Sequence, residues 1–212
     1  MSQTVWIARH GNRLDFVNPE WFSTAERPYD PPLSADGVLQ GRELGKRLQS
    51  ENITHIFSSP FLRAIQTANE VAEVLDLPIK IEAGLSEWLN CDWMGAMPAT
   101  CPREILQAEY PRIDWGYGSR IFPQYPESEE MMLKRTGETV KILVKEFTED
   151  ILLVGHGASV VGTTRGLVLG TPIINASLCC LVKVVRNGNL WEMLLNGDTS
   201  HLTRVENLVR FN

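Results

Sequence analysis

An arginine and a histidine directly follow the first apolar run of the chain. Residues 4–8 (TVWIA) predict a buried strand, and Arg9 and His10 come at its end. Ligands bind at strand ends in open α/β sheets, so both side chains are candidates for a ligand site. A guanidinium binds a phosphoryl group through paired hydrogen bonds, and a neutral imidazole can attack phosphorus. The pair therefore indicates phosphoryl chemistry if other parts of the chain supply partners.

Three further reactive side chains follow other predicted elements. Arg63 lies in the first turn of a predicted helix, Glu87 lies beyond a predicted strand, and His156 directly follows an apolar run. Arg63 and the helix N-terminus would hold a phosphate. His156 would stabilise the transferring oxygens, and Glu87 would protonate a leaving alkoxide. With His10 as nucleophile, the scheme requires no metal.

The elements that must position these residues alternate along the chain. Strands are predicted at 4–8, 53–58, 78–81 and 151–154, helices at 34–50, 60–75 and 128–147, and a hairpin at 179–195. A further helix is predicted to carry Val160, Val161, Leu167 and Val168 before Gly170. Alternation of this kind favours an α/β fold. We expect a three-layer α/β/α sandwich with a mostly parallel central sheet and one antiparallel edge strand. The carboxyl ends of its parallel strands would bring the reactive side chains together.

Helix caps are predicted from local sequence. Ser34 or Asp36 would cap the first helix, Ser59-Pro60 the second, and Ser128 the third.

Two segments show no helical or strand period. Residues 12–32 predict a long surface loop, and residues 88–126 combine aromatic residues with Pro and Gly around one short helix at 103–109. We expect residues 1–212 to form a single domain in which 88–126 is a lid-like insertion over the site. The aromatic side chains of this insertion are expected to form a small core of their own.

Composition excludes several classes of partner. The net charge is −6, and no cluster of Lys and Arg could track a nucleic-acid backbone. The chain has no leader-like segment and no apolar run long enough to cross a bilayer, so we expect a soluble cytoplasmic protein. The four cysteines lack metal-site spacing and are expected to be reduced and structural, with no metal and no cofactor. A homodimer is compatible with the sequence.

The chain resembles the histidine phosphatase superfamily, also called the phosphoglycerate mutase-like superfamily. The matching segments are IARHG at 7–11, LSADG at 33–37, SSPFLRAIQTA at 58–68, LSEW at 85–88 and VGHG at 154–157. The resemblance implies that His10 is transiently phosphorylated and that Arg9, Arg63 and His156 form the phosphate pocket. It also implies that Glu87 is first the acid and then the base for water.

Within the superfamily, Arg13 is the distinguishing residue. The segments 12–15 and 30–34 are most similar to the phosphatase domain of the ubiquitin-associated and SH3-containing phosphotyrosine phosphatases. Cofactor-dependent phosphoglycerate mutases carry a serine at the position of Arg13. An extra guanidinium would strengthen binding of a monoester dianion. The alternative is that Arg13 forms a salt bridge with Asp15 or another acid of the long loop.

The predicted function is metal-independent hydrolysis of a small-molecule or aryl phosphate monoester through a phosphohistidine on His10, as in a histidine acid-type phosphatase. A phosphoglycerate mutase-type transfer is the first alternative, and it requires a cation for the acceptor's carboxylate, for which Arg103 and Arg112 are available. A catalytically silent binding protein of the same fold is the second. Loss of His10, Glu87 or His156 would favour it, and all three are present.

Overall fold

A computed structural model of the protein describes residues 2–203, and these form a six-stranded mixed sheet between two helical layers. The strands are β1 (Thr4–Arg9), β2 (Ile53–Ser58), β3 (Ile79–Ile81), β4 (Asp150–Gly155), β5 (Leu181–Asn187) and β6 (Leu190–Asp198). Their order in the sheet is β3-β2-β4-β1-β5-β6. The first four are parallel, and β5 pairs antiparallel with both β1 and β6. The predicted hairpin therefore forms the antiparallel side of the sheet.

Seven α-helices occur within residues 2–203. They are α1 (Leu14–Val17), α2 (Trp21–Thr24), α3 (Ala35–Leu48), α4 (Leu62–Leu75), α5 (Arg103–Glu109), α6 (Glu129–Glu146) and α7 (Gly157–Leu167). A 3₁₀ turn at Ala83–Leu85 follows β3. The expected long loop at 12–32 thus contains two one-turn helices. None of the helices described is long and apolar enough to span a membrane.

The side chains of β1 divide between the two layers. Trp6 and Ala8 pack in the cluster that contains residues of α3 and α4, whereas Val5 and Ile7 pack in the cluster that contains residues of α6 and α7. Alternate residues of a strand point to opposite faces, so each face of the sheet buries one helical layer. The predicted three-layer α/β/α sandwich is confirmed.

Two of the predicted caps are confirmed, and one is wrong. The Ser34 hydroxyl accepts from the amide of Gly37, and Ser128 caps α6 in the same way. Helix α4 begins at Leu62, after Ser59-Pro60, and its first amide donates instead to the buried carboxylate of Asp30 at 2.7 Å. A cap from a distant loop leaves no signal in the local sequence, and the local pattern therefore points to Ser59 instead of Asp30.

The aromatic residues of 88–126 form a small core of their own only in part, because Tyr125 packs with Leu89 and Met94 of the same segment against Phe61, whereas the others pack elsewhere. Tyr110 is buried in the cluster under α4, and Tyr117 packs against Phe57 on the other side of the sheet. Trp88 and Trp93 instead border the cavity described below. The segment is divided because Ile113 bridges to Ile79 of β3, which ties its middle part to the sheet edge.

The cysteines near β5 are structural. Cys179 and Cys180 precede the strand, are fully buried, and pack in opposite layers. Burial raises the pKa of the Cys179 thiol, and it raises that of Cys180 to about 11, which keeps both thiols protonated and unreactive.

Candidate active site

His10 follows β1 and is completely buried. Its Nδ1 lies 2.7 Å from the carbonyl oxygen of Gly11. A carbonyl only accepts, so Nδ1 carries the proton and Nε2 carries the free electron pair. The Nε atom of Arg63 lies 3.3 Å from Nε2 and donates to it. Nε2 is therefore the ring nitrogen of His10 that carries an electron pair.

The backbone around His10 is held by two helices. The amide of Gly11 donates to Thr67 Oγ1 of α4 at 3.0 Å, and the amide of Asn12 donates to Gln40 Oε1 of α3 at 2.8 Å. At Gly37, a Cβ atom would lie 2.1 Å from the Asn12 carbonyl oxygen, so only glycine permits this approach. These contacts explain why a fixed loop conformation follows the strand.

Arg63 lies in the first turn of α4 and is buried against the other site residues. Its Nη2 lies 3.5 Å from Glu87 Oε2, and its Nη1 donates to the Tyr29 carbonyl at 3.3 Å. Burial and the neighbouring Arg13 lower the pKa of Arg63 to about 10, so the guanidinium remains charged at neutral pH. Arg63 thus contacts both the imidazole of His10 and the carboxylate of Glu87.

His156 directly follows β4 and is the N-cap residue of α7. Its ring is fully buried and meets the ring of His10 edge to face, with centroids 5.2 Å apart. Nδ1 lies 3.3 Å from Glu87 Oε2, and Nε2 lies 2.8 Å from Ser59 Oγ. The Ser59 hydroxyl accepts from the Phe61 amide, which directs its proton to Nε2, so Nδ1 carries the ring proton. Nδ1 lies beside Glu87 at ion-pair distance, and it has no hydrogen-bond partner of good geometry within residues 2–203. Sequence reasoning missed this role of Ser59, although the residue lies within a recognised motif.

Glu87 follows the 3₁₀ turn and joins the two basic groups. Burial alone would raise the pKa of Glu87, but His156, Arg63 and the Trp88 amide, which donates to Oε1 at 3.0 Å, together lower it well below its usual range. Glu87 is therefore ionised at neutral pH in the unliganded site.

A buried ion pair underlies the loop that carries Glu87. Arg135 of α6 donates to both carboxylate oxygens of Glu127, at 2.6 and 2.7 Å. It also donates to the carbonyl oxygens of Gly84, Ser86 and Glu87 at 2.8, 3.1 and 3.1 Å. Sequence reasoning missed Arg135. The available signal was a cation in the apolar stripe of a helix.

Arg9 and Arg13 complete the positive surroundings of His10. Arg9 is buried and donates to the Ala176 carbonyl at 2.7 Å. Arg13 forms a two-pronged ion pair with Asp15, with Nε 2.9 Å from Oδ1, and its guanidinium lies over the Phe16 ring. The alternative of a salt bridge to Asp15 is thus realised, while Arg13 also borders the cavity. The ion pair with Asp15 therefore holds the Arg13 guanidinium at the edge of the cavity.

The two histidines are held neutral by their surroundings. Burial, followed by the charges of Arg63 and other neighbours, lowers the pKa of His10 well below its ordinary value. Burial also lowers the pKa of His156 to about 4, although the adjacent Glu87 opposes the shift. At neutral pH both rings are therefore uncharged.

A cavity of about 280 Å³ opens onto Arg9, Arg13 and Glu87. A larger open groove of about 760 Å³ lies between α6 and α7 and includes none of the predicted site residues. The ligand atoms of His10, Glu87 and His156 lie within 4.8 Å of one another, a spacing that a metal ion could bridge. The three surrounding guanidinium groups repel a cation and attract an anion, so an oxyanion suits this site better.

The family model for the histidine phosphatase superfamily (branch 1) matches residues 5–199. The chain belongs to this superfamily. The 55 kDa subunit of transcription factor tau from Saccharomyces cerevisiae is 32% identical over 74% of this chain and 39% of its own length. The ecdysteroid-phosphate phosphatase of Drosophila melanogaster is 25% identical over 91% of this chain and 32% of its own length. The chain spans about a third of the length of these curated relatives.

A solved structure supports the same fold. The ecdysone phosphate phosphatase from Bombix mori, in complex with tungstate, superimposes with a TM-score of 0.76 and 20% identity over 99% of this chain and 98% of that one. At this identity the likeness establishes the fold. The superfamily match and the structural likeness to a phosphatase thus agree on the fold.

Proposed function

We propose that the protein hydrolyses phosphate monoesters through a phosphohistidine on Nε2 of His10, without a metal ion. The observation that carries the proposal is the state of His10. Its Nδ1 proton is engaged by Gly11, and its Nε2 electron pair faces Arg63. The imidazole is thereby a neutral, oriented nucleophile with a guanidinium beside the attacking atom.

In the first step, Nε2 of His10 bonds to phosphorus and the bond from phosphorus to the ester oxygen breaks. The leaving oxygen takes a proton from the protonated carboxyl of Glu87. Arg9, Arg13 and Arg63 balance the charge on the phosphoryl oxygens. A bound phosphate dianion raises the pKa of the neighbouring Glu87, because it adds negative charge beside the carboxylate. Substrate binding therefore supports the acid role of a group that is ionised beforehand.

In the second step, the Glu87 carboxylate accepts a proton from water as the water oxygen bonds to phosphorus. The bond to His10 breaks, and its electron pair returns to Nε2. His156 stays neutral and keeps its Nδ1 proton beside Glu87, which favours one orientation of the carboxylate in both steps. The same residue thus serves as acid and base in sequence.

Mutase-type transfer finds less support in the geometry. Such a reaction needs a cation for the acceptor's carboxylate beyond the phosphate. Arg103 lies over the Trp115 ring and Arg112 pairs with Asp76, and neither borders the cavity. Within residues 2–203, the cavity has no cation beyond the phosphate-binding arginines that could bind a second acceptor, and this favours water as the acceptor.

The test is to quench a reaction with p-nitrophenyl phosphate, in the presence of a chelator, and to examine the protein. We expect turnover, and a phosphoryl group that is acid-labile, base-stable and attached to Nε2 in the phosphorus NMR spectrum. His10→Ala should abolish both signals. His55→Gln is the matched control, because His55 lies on β2 away from the site. Label that persists in His10→Ala, or complete loss of turnover in chelator, contradicts the proposal.

A further inference from the structure

The cavity that opens onto Arg9, Arg13 and Glu87 continues between apolar side chains. These are Trp88, Trp93, Met132, Leu133, Ala158 and Val161, and we call this part the leaving-group chamber. Trp88 and Trp93 meet edge to face with ring centroids 5.1 Å apart, and Trp88 Nε1 donates to the Glu127 carbonyl at 2.9 Å. The wall is therefore aromatic, and Trp88 is held in place by its hydrogen bond. A dry apolar cavity of roughly 150 Å³ holds a benzene ring. A cavity of about 280 Å³ has room for a substituted ring.

One further charged residue borders the chamber. Glu129, the first residue of α6, is exposed at its rim. Within residues 2–203, the ionisable side chains that line the cavity are those of Arg9, Arg13, Glu87 and Glu129. Across that same part of the chain, no cation lies within ion-pair distance of the Glu129 carboxylate. The Glu129 carboxylate is therefore not held in an ion pair at the rim of the chamber.

The arginines do not offset this carboxylate once substrate is bound. The phosphate dianion opposes two of the three guanidinium charges, and Asp15, which pairs with Arg13, opposes the third. No surplus positive charge remains to attract a second anionic group. A carboxylate on the leaving group would thus meet an apolar wall and the like charge of Glu129.

We propose that the chamber selects leaving groups that are apolar and either neutral or cationic, and that Glu129 is the specificity-determining residue that rejects a second negative charge. The inference rests on the proposed hydrolysis, because it concerns the leaving-group end of the same site. Electrostatic complementarity of this kind sets specificity through the penalty on the wrong charge.

The test uses three phenyl phosphates that differ only in the para substituent: an ethylammonium, a propyl or a propionate chain. Their phenols are of similar acidity, so differences in kcat/KM report on the chamber rather than on bond cleavage. We expect the propionate compound to be the poorest substrate. In Glu129→Gln the ratio of ammonium to propionate kcat/KM should fall about twofold to fivefold, and in Glu129→Lys it should fall further. The effect should weaken as salt is added.

Glu130→Gln is the matched control, because it makes the same change in net charge one residue away, outside the chamber. An unchanged ratio in Glu129→Gln, an equal change in Glu130→Gln, or a wild-type preference for propionate overturns the inference and leaves the proposed hydrolysis intact. Absence of hydrolysis with all three compounds and with p-nitrophenyl phosphate overturns both.

Discussion

Ser59 and His156 lie in contact across the site, with Ser59 Oγ 2.8 Å from Nε2 of the imidazole. Glu87 contacts the other ring nitrogen at 3.3 Å. The serine hydroxyl also accepts from the Phe61 amide at 3.3 Å, so its own proton is directed toward the histidine. Together the two contacts select one tautomer of His156, the one that presents an N–H to Glu87. Ser59 is thus a positioning residue that acts through His156.

Ser59→Ala should lower kcat about tenfold, the scale expected for loss of one buried hydrogen bond. The ring of His156 should then populate both tautomers, which nitrogen NMR of the imidazole detects. Ser59→Thr should retain most activity, because it keeps the hydroxyl. Ser58→Ala is the control, since that buried hydroxyl donates only to a backbone carbonyl. Unchanged kinetics with a single tautomer in Ser59→Ala would refute this role.

Arg135→Lys should impair the acid step selectively. A lysine cannot reproduce the five contacts that the guanidinium makes with Glu127 and the 84–87 backbone. Glu87 then loses its position, which matters most when the leaving group needs a proton. We expect kcat/KM for an alkyl phosphate to fall roughly tenfold to a hundredfold. The loss with p-nitrophenyl phosphate should stay within about threefold, because nitrophenolate leaves unprotonated.

Arg42→Lys, which alters an exposed ion pair with Glu70, controls for a general effect of replacing arginine. Urea unfolding establishes that each variant is folded. Glu127→Gln tests the same interaction from the other side, because it removes the charge that pairs with Arg135. Equal losses on alkyl and nitrophenyl substrates would indicate a structural defect rather than a displaced Glu87.

Stability should fall on acidification between pH 6.5 and about 4, and His156 should account for part of the loss. Its pKa is about 4 in the folded protein, whereas an unfolded histidine titrates near its ordinary value. In this window the unfolded state binds a proton that the folded state does not, so the free energy of unfolding decreases as pH falls. Each unit of depression corresponds to about 1.4 kcal/mol.

His156→Gln should therefore unfold in urea with a smaller difference between pH 7 and pH 5 than the wild type. His201→Gln is a milder comparison, because burial lowers the pKa of His201 without a large shift. An undiminished pH dependence in His156→Gln would show that other groups carry the acid sensitivity.

Asp15→Asn tests whether the ion pair positions Arg13 for phosphate. Loss of one carboxylate charge releases the two-pronged contact that holds the guanidinium. If orientation dominates, orthovanadate should bind about threefold to tenfold more weakly, and Arg13→Gln should show the same direction. Arg27→Gln, which alters an arginine of the same loop, serves as control. Tighter vanadate binding in Asp15→Asn would mean that Asp15 mainly neutralises Arg13.

The parts of the fold that follow from local pattern could be predicted from the sequence. The apolar run before Arg9, the stripe of α4 and the first turn of α6 each contain their own signal. Arg9, His10, Arg63, Glu87 and His156 could be grouped because parallel strands end at one edge.

What could not be predicted depends on contacts between distant segments. Asp30 caps α4 from a loop more than thirty residues earlier, which freed Ser59 to contact His156. Arg135 contacts the Glu87 loop from a helix whose pattern indicates only burial. Tyr110 and Tyr117 pack on opposite faces of the sheet, because Ile113 between them pairs with Ile79 at the sheet edge. The amino-acid composition of the segment does not predict that pairing.

The order of the strands also bears on how the protein is made. Within residues 2–203, strand β1 pairs with β4 on one side and β5 on the other, and β4 lies between β1 and β2. During synthesis from the N-terminus, β2 and β3 can pair early. Strand β1, which precedes His10, has no partner strand until residues 150–155 leave the ribosome. Nascent chains that stop before that point cannot assemble the nucleophile with its partners. Assembly of the phosphate-binding residues around His10 therefore depends on synthesis of the second half of the chain.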